Sequence, residues 1–239
     1  MIEVDELILE VTRRCNMKCE HCLRGEAQNL SISNEIIDKV FDEVGTVNSI
    51  VYTGGEPSLN TKAIKYSLKV MKERNTPLFG FWLATNAKTY NPEFFMTVVD
   101  LFVYCLSCGG EPETCGIAVS IDDYHERVSQ GNIAQYKALS FYSAGKEQKN
   151  DYRFIVDMGR ASEKGIGYRE HSIIPPRIEV EEDGRILVET LYINAKGDVL
   201  SDCDLSYELQ EEHKMGNIFE TPLEEILLKH SKKELVATL

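Results

Sequence analysis

Apolar residues recur along this chain with two alternating periods. Short apolar runs of strand length, such as LILEVT (Leu7 to Thr12) and SIVYT (Ser49 to Thr53), are each followed by a longer stretch of helical period. The first such stretch, Ser33 to Val44, has its apolar residues at spacings of three and four, which predicts a helix with one buried face. A repeated order of strand and helix is typical of a parallel sheet with helical crossovers.

The same order continues to about Asp157 and gives nearly five strand-helix repeats. We therefore predict an α/β fold for this part of the chain. The remaining predicted elements are a helix over residues 61–74, a strand over 79–85, a helix over 92–104, a strand over 116–121, a helix within 134–143 and a strand over 152–157.

The pattern changes after residue 165. Turn signals at residues 182–185 (EDGR) and 194–197 (NAKG) divide residues 177–200 into alternating strands, which predicts an antiparallel meander. Residues 221–239 predict a terminal helix. We expect a small β-rich C-terminal cap over residues 166–239, with four leucine and isoleucine side chains of its helix pointing inward: Leu223, Ile226, Leu227 and Leu235.

Charge and composition limit the class of protein. The 239 residues are 43% apolar, which is enough for a proper core. A net charge of −13 disfavours nucleic acid as a main partner. No apolar run reaches the ~18 residues of a membrane span, and the N-terminus lacks a signal sequence, so we expect a cytoplasmic protein without a membrane partner. The cytosol keeps thiols reduced, so the seven cysteines favour metal binding or catalysis over disulfides.

Three cysteines, Cys15, Cys19 and Cys22, form a C-x-x-x-C-x-x-C motif directly after the first predicted strand. An ordinary 4Fe-4S cluster takes one thiolate for each iron, so three thiolates hold three irons and leave the fourth open for a ligand. The alternative is a zinc knuckle that uses His21 as the fourth ligand, which would make the chain a non-enzymatic interaction module. Four ligands within eight residues are poorly spaced for a tetrahedral ion, which favours the cluster.

Three more polar segments follow the ends of successive predicted strands. They are TGGEP (residues 53–57), LATNAK (83–88) and AVSIDDYHE (118–126). Enzymes with parallel sheets bind ligands at this edge, so the order of these segments supports one site. Two of them have a simpler alternative, since GGEP can form a plain turn and Asp122 can cap a helix.

Together these motifs resemble those of the radical S-adenosylmethionine (radical SAM) enzymes. The resemblance implies a partial (β/α)6 TIM-like barrel of five or six parallel strands over residues 1–165. It also implies that Cys15, Cys19 and Cys22 bind a 4Fe-4S cluster whose open iron chelates S-adenosyl-L-methionine. In this family one electron breaks the sulfur to C5′ bond of that cofactor, and the resulting 5′-deoxyadenosyl radical abstracts a hydrogen from a substrate.

The resemblance also assigns cofactor contacts. Gly54, Gly55 and Glu56 match the Gly-Gly-Glu segment that meets the methionine ammonium, where glycine permits close approach and glutamate supplies negative charge. His21 holds the position before the third cysteine, which lies near the adenine.

Two further segments match less closely. LATNAK resembles a Thr-Asn-Gly segment in which Thr85 or Asn86 is the candidate contact, but Ala87 stands where glycine is usual. Ser120 and Asp122 match residues that approach the ribose hydroxyls or the carboxylate. His125 follows them as a candidate acid or base, although a histidine satisfied by local hydrogen bonds is the simpler reading.

The remaining cysteines suggest a second metal site. Cys105, Cys108 and Cys115 lie between a helix and a strand, on the edge opposite the predicted active site. With Cys203 they form a candidate set for zinc or an auxiliary cluster. The alternative is a set of reduced, partly buried thiols.

The C-terminal part resembles a reduced form of the SPASM extension found behind many peptide-modifying radical SAM enzymes. YINAKGDVLSDCD (residues 192–204), KMGNIFETPLEEIL (214–227) and GRA (159–161) carry this likeness. Cys203 is the one cysteine there, so the extension alone cannot hold a cluster. It is a candidate donor of a hydrogen atom to a substrate radical, or an inert thiol, and Arg160 is either a carboxylate clamp or part of an ion pair.

The extension favours a peptide or protein substrate over a small molecule or nucleotide. The few residues before Cys15 include the first strand, so we expect no separate leader-binding domain. We then expect the barrel mouth and an edge strand of the meander after Arg177 to bind the peptide. A protein such as a flavodoxin or ferredoxin is the expected electron donor.

Overall fold

The computed structural model of the protein describes residues 1–143 and 155–231. A single eight-stranded sheet forms its centre. In chain order the strands are β1 (Ile2–Thr12), β2 (Val44–Gly54), β3 (Phe81–Thr85), β4 (Cys115–Val119), β5 (Ile178–Val180), β6 (Ile186–Ile193), β7 (Asp198–Leu200) and β8 (Lys214–Asn217).

The helices begin and end where the local sequence directs. Ser33 and Asn91 cap two of them by accepting backbone N–H bonds, and Asn75 ends another in the left-handed conformation. None of the helices in the described residues has the length and apolar character of a membrane span. They are α1 (Asn34–Glu43), α2 (Thr61–Arg74), α3 (Pro92–Ser107), α4 (Gln130–Lys137), α5 (Gly159–Glu163), α6 (Leu209–Glu212) and α7 (Leu223–His230), with 3-10 turns at Pro57–Asn60 and Pro112–Thr114.

The strand order is β4-β3-β2-β1-β6-β7-β8, with β5 paired to β6. Strands β4, β3, β2, β1 and β6 run parallel, and β5, β7 and β8 are antiparallel to their neighbours. Within the described residues the end strands β4 and β8 do not pair with each other, so the barrel is open. This confirms the predicted α/β partial barrel.

The fifth parallel strand is not where the sequence placed it. We expected it at residues 152–157, of which the first three lie outside the described residues, while Val156 makes an isolated bridge to Arg169. The described fifth strand is β6, from the predicted cap, which pairs with β1 along its length. The sheet therefore continues across residue 165, and a domain boundary there stays a prediction.

Alternating side chains separate the two faces of the sheet. Leu7 and Leu9 of β1 point into the main core under the helices, whereas Ile8 lies in a smaller cluster on the opposite face. Helix α7 joins the main core through the predicted residues Leu223, Ile226 and Leu227, and Leu235 lies outside the described residues. The face opposite the helices is the inner face of the open barrel.

The helix predicted within residues 134–143 begins earlier than expected. Helix α4 spans Gln130–Lys137, because Ser129 caps it by accepting a hydrogen bond from the Asn132 N–H. Beyond it Phe141 packs against two other rings, with centroids 5.7 Å from Phe81 and 4.5 Å from Phe102. These long-range contacts hold the segment in a turn that local pattern alone does not reveal.

Candidate active site

The cysteine loop, residues 13–25, follows β1 at the carboxyl edge of the parallel strands. Cys15, Cys19 and Cys22 are all half-buried in it. Burial raises the pKa of Cys15, and it raises that of Cys19 to about 11 with further help from the neighbouring thiols. A bound metal would reverse this effect on Cys15 and Cys19, because a metal ion deprotonates the cysteines that coordinate it.

The spacing of these thiols distinguishes a cluster from a single zinc ion. Zinc with four ligands at about 2.3 Å holds its sulfurs roughly 4 Å apart, whereas cluster cysteines each bind a different iron. In residues 1–143 and 155–231, the group of three candidate ligands with all ligand atoms within 4.8 Å of one another is His21, Asp122 and His125. The three cysteines are spaced more widely than that, and His21 pairs elsewhere, so the set fits a cluster better than a zinc knuckle.

Two glycines at the end of β2 are required by contact with the cysteine loop. Gly54 has φ of 133°, and a Cβ there would lie 1.9 Å from the carbonyl oxygen of Thr12. At Gly55 a Cβ would lie 2.3 Å from the carbonyl oxygen of Arg14. No larger residue fits at either position without moving the loop. Their predicted contact with the cofactor stays a proposal.

Glu56 joins two of the predicted segments. Its side chain is 2% exposed. Oε1 accepts hydrogen bonds from the Ser58 N–H at 3.1 Å and the Thr85 hydroxyl at 2.8 Å, and Oε2 accepts one from the Asn86 N–H at 2.8 Å. The bond to Ser58 caps the 3-10 turn, so the plain-turn alternative is also partly right. The bonds to Thr85 and Asn86 make the carboxylate part of a site.

Asn86 connects this segment to the cysteine loop. Its side-chain N–H₂ donates to Asn16 Oδ1 at 2.8 Å and lies 3.9 Å from the sulfur of Cys15. The next residue, Ala87, has φ of 50° and is buried. This left-handed conformation explains why glycine is usual there, since only glycine adopts it without cost.

The fourth segment meets the cysteine loop through Asp122. Its Oδ1 accepts bonds from the backbone N–H groups of Tyr124 and His125 in a turn, and not at the start of a helix as the alternative supposed, because α4 begins at Gln130. Oδ1 also lies 2.8 Å from His125 Nδ1, and Oδ2 lies 3.7 Å from His21 Nε2. Burial opposes ionisation of Asp122, but His125 outweighs it and lowers the pKa of that carboxyl. Two predicted contacts, His21 and Asp122, thus face each other.

The remaining predicted contact in this segment, Ser120, is half-buried. Its backbone N–H donates to the carbonyl oxygen of Thr85 at 2.9 Å, which joins the ends of β3 and β4. The hydroxyl of Ser120 thus stands one strand away from Glu56 and its partners. Its predicted contact with the ribose stays a proposal.

The second cysteine group, Cys105, Cys108 and Cys115, lies at the amino end of β4, on the opposite edge as predicted. Cys105 and Cys115 are buried in the main core. The Cys105 thiol donates to Cys115, which raises the pKa of Cys105 and lowers that of Cys115. Among the described residues this group does not form a set of three ligands within 4.8 Å.

Cys203 does not complete that group, which corrects the predicted four-cysteine set. It packs against the inner-face cluster of Ile8, Tyr192 and Leu200. Strands β3, β2, β1 and β6 separate β4, which begins at Cys115, from β7, which precedes Cys203. The ligands are therefore on different parts of the sheet, and the alternative of reduced, buried thiols describes Cys105 and Cys115 better.

Arg160 braces the cysteine loop and does not face an open cavity. Its backbone N–H donates to the carbonyl of Cys22 at 3.0 Å, its Nη1 donates to that of Cys19 at 3.0 Å, and its Nε lies 2.9 Å from Glu26 Oε1. The ion-pair alternative is thus confirmed for this residue. Gly159 beside it has φ of 55°, and a Cβ there would lie 2.4 Å from the Leu23 carbonyl oxygen.

The sequence patterns missed a buried polar group below the loop. Glu10 is 0% exposed and Arg13 1%, and their side chains are joined by a 2.6 Å bond from Arg13 Nε to Glu10 Oε1. The available signal was a charged residue inside the apolar strand LILEVT, because a charge is rarely fully buried without a partner. The partner residues could not be named from the sequence.

Comparison with known proteins agrees with this site. Residues 9–115 match the sequence model of the Radical SAM superfamily. The protein YfkA of Bacillus subtilis (strain 168) is 36% identical over 66 residues, which cover 26% of this chain and 18% of that protein. The match therefore spans less than a fifth of the length of this curated relative.

The fold is similar to that of a solved structure. Native anSMEcpe with bound AdoMet and Cp18Cys peptide has a TM-score of 0.56 at 12% identity, over 93% of this chain and 80% of that one. Streptococcus suis SuiB bound to precursor peptide SuiA has a TM-score of 0.47 at 15% identity, over 94% and 64%. Residues 9–115, the segment that matches the Radical SAM superfamily model, include the cysteine motif, the Gly-Gly-Glu segment and Asn86, so this part of the chain is similar to that superfamily.

Proposed function

We propose that this enzyme uses S-adenosylmethionine to abstract a hydrogen atom from a side chain of a peptide or protein. Cys15, Cys19 and Cys22 would hold a 4Fe-4S cluster, and a bound cluster would supply the single electron that opens S-adenosylmethionine for hydrogen abstraction. The protein contributes the positions of the reactants and the exclusion of water.

One observation supports this proposal above all others. Four segments that are far apart in sequence meet at one edge of the sheet. Glu56 accepts hydrogen bonds from Thr85 and Asn86, Asn86 donates to Asn16 of the cysteine loop, and Asp122 faces His21 of the same loop. Plain turns and caps have no reason to converge on the cysteines. A site for one ligand that spans all four segments accounts for the convergence.

We assign the group around His21 to the adenosyl part of the cofactor. The His21 ring lies 5.2 Å from that of Tyr124 and 4.8 Å from that of His125, measured between centroids. Burial lowers the pKa of His21, so its ring is neutral near pH 7. A neutral ring that already packs against others suits contact with a purine, and the Asp122 carboxylate beside it suits a hydroxyl group.

We assign the methionine part of the cofactor to the segment around Glu56. That carboxylate is the negative charge nearest to Cys15, whose pKa it helps to raise. An ammonium group placed between them would gain a charge-assisted hydrogen bond. Gly54 and Gly55 have no side chain that would block the approach of this ammonium group.

We place the substrate at the inner face of the barrel, beneath this edge. One row across the sheet pairs Gly116 with Trp82, Trp82 with Val51 and Val51 with Ile8. Trp82 is 38% exposed, and its ring lies over Gly116, where a Cβ would be 2.4 Å from ring carbons. The tryptophan thus presents one ring face to the strand and its remaining surface to the lumen. An apolar or aromatic side chain is the group that such a floor binds best.

The choice of a peptide rests on the SPASM-like extension and on the fold relatives. The anSMEcpe structure contains AdoMet together with a peptide. The end strand β8 gives this chain a means of holding an extended peptide, since within the described residues it pairs with β7 alone. Strand addition there would supply main-chain hydrogen bonds with little demand on sequence.

Cys203 is our candidate for returning a hydrogen atom to the substrate radical. It lies on the inner face against Tyr192 and Leu200. Burial, with help from Asp204 and Asp202, raises its pKa to about 11, so the thiol keeps its hydrogen at neutral pH. A protonated thiol is the form that gives up a hydrogen atom. This step would leave a sulfur radical on Cys203, which one electron and one proton from the external donor restore.

Two further features complete the proposal. A one-electron donor of low potential, such as a flavodoxin or ferredoxin, must reduce the cluster. All seven cysteines are free thiols, which fits the reducing cytoplasm.

The test is a transfer of deuterium. Anaerobic enzyme, reductant and S-adenosylmethionine are incubated with peptide and nucleotide pools from cells grown in deuterium, and 5′-deoxyadenosine is examined by mass spectrometry. We expect label from the peptide pool and none with the triple variant Cys15→Ala, Cys19→Ala, Cys22→Ala. Label drawn from the nucleotide pool alone would contradict the peptide substrate and leave the cluster assignment intact.

A further inference from the structure

The C-terminal part of the chain reaches the cysteine loop through Glu10. This residue lies on the inner face near the end of β1 and is 0% exposed. Its Oε1 accepts hydrogen bonds from Arg13 Nε at 2.6 Å and from the Ala195 N–H at 3.2 Å. Its Oε2 accepts from the Tyr192 hydroxyl at 3.0 Å and from Gln210 Nε2 at 3.0 Å. Three of the four donors therefore belong to the C-terminal part.

Gln210 also holds the residue that begins the loop. Its Oε1 accepts a 2.5 Å bond from Arg13 Nη2, while its Nε2 binds Glu10, so one buried amide bridges both members of the ion pair. Arg13 in addition donates to Gln28 Oε1 at 3.0 Å and lies 4.5 Å from the centre of the Tyr207 ring. Arg13, two residues before Cys15, is thus in contact with four side chains.

The far end of the loop is held by the same C-terminal segment. Arg24, two residues after Cys22, donates from Nη1 to the carbonyl of Leu205 at 2.6 Å. In return the Tyr207 N–H donates to the carbonyl of Arg24 at 3.1 Å. Residues 205–210 therefore form hydrogen bonds to the chain just before the first cysteine and just after the third.

Stability alone is a weak reason for such a network. Removing two charges from water is costly, and a buried ion pair often stabilises a fold no more than apolar side chains of the same volume. What a fully bonded network does provide is one fixed geometry. Here the fixed element is the loop that carries all three predicted cluster ligands.

We propose that Glu10, Arg13 and Gln210 are positioning residues, through which the C-terminal part sets the geometry and charge around the cluster. This inference rests on the proposed function. The extension of this chain carries Cys203 alone, so its contribution would come through hydrogen bonds to the loop and not through a cluster of its own.

Two substitutions test the inference. Glu10→Gln keeps the shape but removes the charge opposite Arg13, and Gln210→Leu removes the bridge while leaving the ion pair. The matched control is Glu43→Gln. Glu43 also joins the barrel to the C-terminal part, by accepting bonds from the Leu223 and Glu224 N–H groups at 2.8 Å each, but at the end of α1, away from the cysteine loop.

The readouts are the midpoint potential of the cluster in anaerobically purified protein and hydrogen exchange of residues 13–25 in iron-free protein. We expect both test variants to exchange these amides about tenfold faster, because a buried network left partly unpaired opens more readily. In Glu10→Gln the uncompensated charge of Arg13 should favour the reduced cluster and make the potential more positive. The control should leave both values unchanged.

Unchanged loop exchange and unchanged potential in both test variants would overturn the inference, even if their unfolding temperatures fell. Failure of the proposed function is a separate outcome. A protein that bound no iron would remove the potential measurement, while the exchange measurement on iron-free protein would still decide whether the C-terminal part fixes the loop.

Discussion

The cysteine loop and the second cysteine group each contain three thiols, within eight and eleven residues of chain, but in opposite surroundings. The loop thiols are half-buried at the carboxyl edge, beside Glu56, Asn86 and His21. In the second group Cys105 and Cys115 are sunk in the apolar core and bond to each other. The difference shows that cysteine spacing is not sufficient evidence of a metal site, because the polar neighbours and the strand edge decide it.

The largest expected effect is on iron content. Replacing Cys15, Cys19 and Cys22 by Ala should remove all iron from anaerobically purified protein, because these are the thiolates proposed to hold the cluster, whereas Cys105 and Cys115 are buried in the apolar core. Replacing Cys105, Cys108 and Cys115 by Ala should lower stability but leave about four irons for each chain. Iron is measured by colorimetric assay. Equal loss of iron in both triple variants would erase the distinction between the two groups.

Thiol reactivity sharpens the same comparison. In iron-free protein the pKa of Cys19, raised to about 11 from 9.0, leaves about a hundredfold less thiolate at neutral pH than an ordinary cysteine has. We therefore expect iodoacetamide to modify Cys19 about a hundredfold more slowly than it modifies a model peptide, with a rate that rises up to about pH 11. Peptide mass mapping follows the reaction. A rate that levels off near neutral pH would show that burial does not protect this thiol.

A pair of glycines tests how tightly the loop is packed. Gly159 and Gly165 both have positive φ, at 55° and 64°, but a Cβ at Gly159 meets the Leu23 carbonyl at 2.4 Å whereas one at Gly165 meets nothing within 4 Å. Gly159→Ala should cost about 2 kcal/mol more than Gly165→Ala in free energy of unfolding, because it adds a clash to the same strain. Chemical denaturation measures both. Equal losses of unfolding free energy in the two variants would show that the loop moves to accept the new Cβ at residue 159 without an energetic cost.

The effect of Glu56→Gln should be smaller and confined to the cofactor. The substitution keeps the shape but loses the charge, so we expect S-adenosylmethionine to bind about tenfold more weakly while iron content is unchanged. Equilibrium dialysis of cluster-loaded protein gives the affinity, with Glu43→Gln as the control for loss of one carboxylate. If Glu56→Gln bound S-adenosylmethionine as tightly as the control does, Glu56 would be a turn residue and not a cofactor contact.

Local features of the fold were predictable because they depend on neighbouring residues. Helix α2 spans Thr61–Arg74 as predicted, since its apolar period is clear and Asn75 ends it. The partner of a strand is not encoded in this way. A period of two identifies β6 as a strand, but nothing local says that it lies beside β1 and not in a separate cap.

The residues of the site also divide into those with a local sequence signal and those without one. Cys15, Cys19, Cys22 and Glu56 belong to short motifs, so sequence alone named them. Gln210 was invisible, because its role depends on a meeting with Glu10 across 200 residues of chain. Interactions of that kind follow from the closed fold and not from any local pattern.

The most direct test of the account is the cleavage of the cofactor itself. Anaerobic, iron-loaded protein is mixed with S-adenosylmethionine and dithionite, and the products are separated by liquid chromatography. We predict 5′-deoxyadenosine and methionine in equal amounts, and neither from the variant with Cys15, Cys19 and Cys22 replaced by Ala. Intact S-adenosylmethionine after full reduction of a four-iron cluster would contradict the assignment of this site.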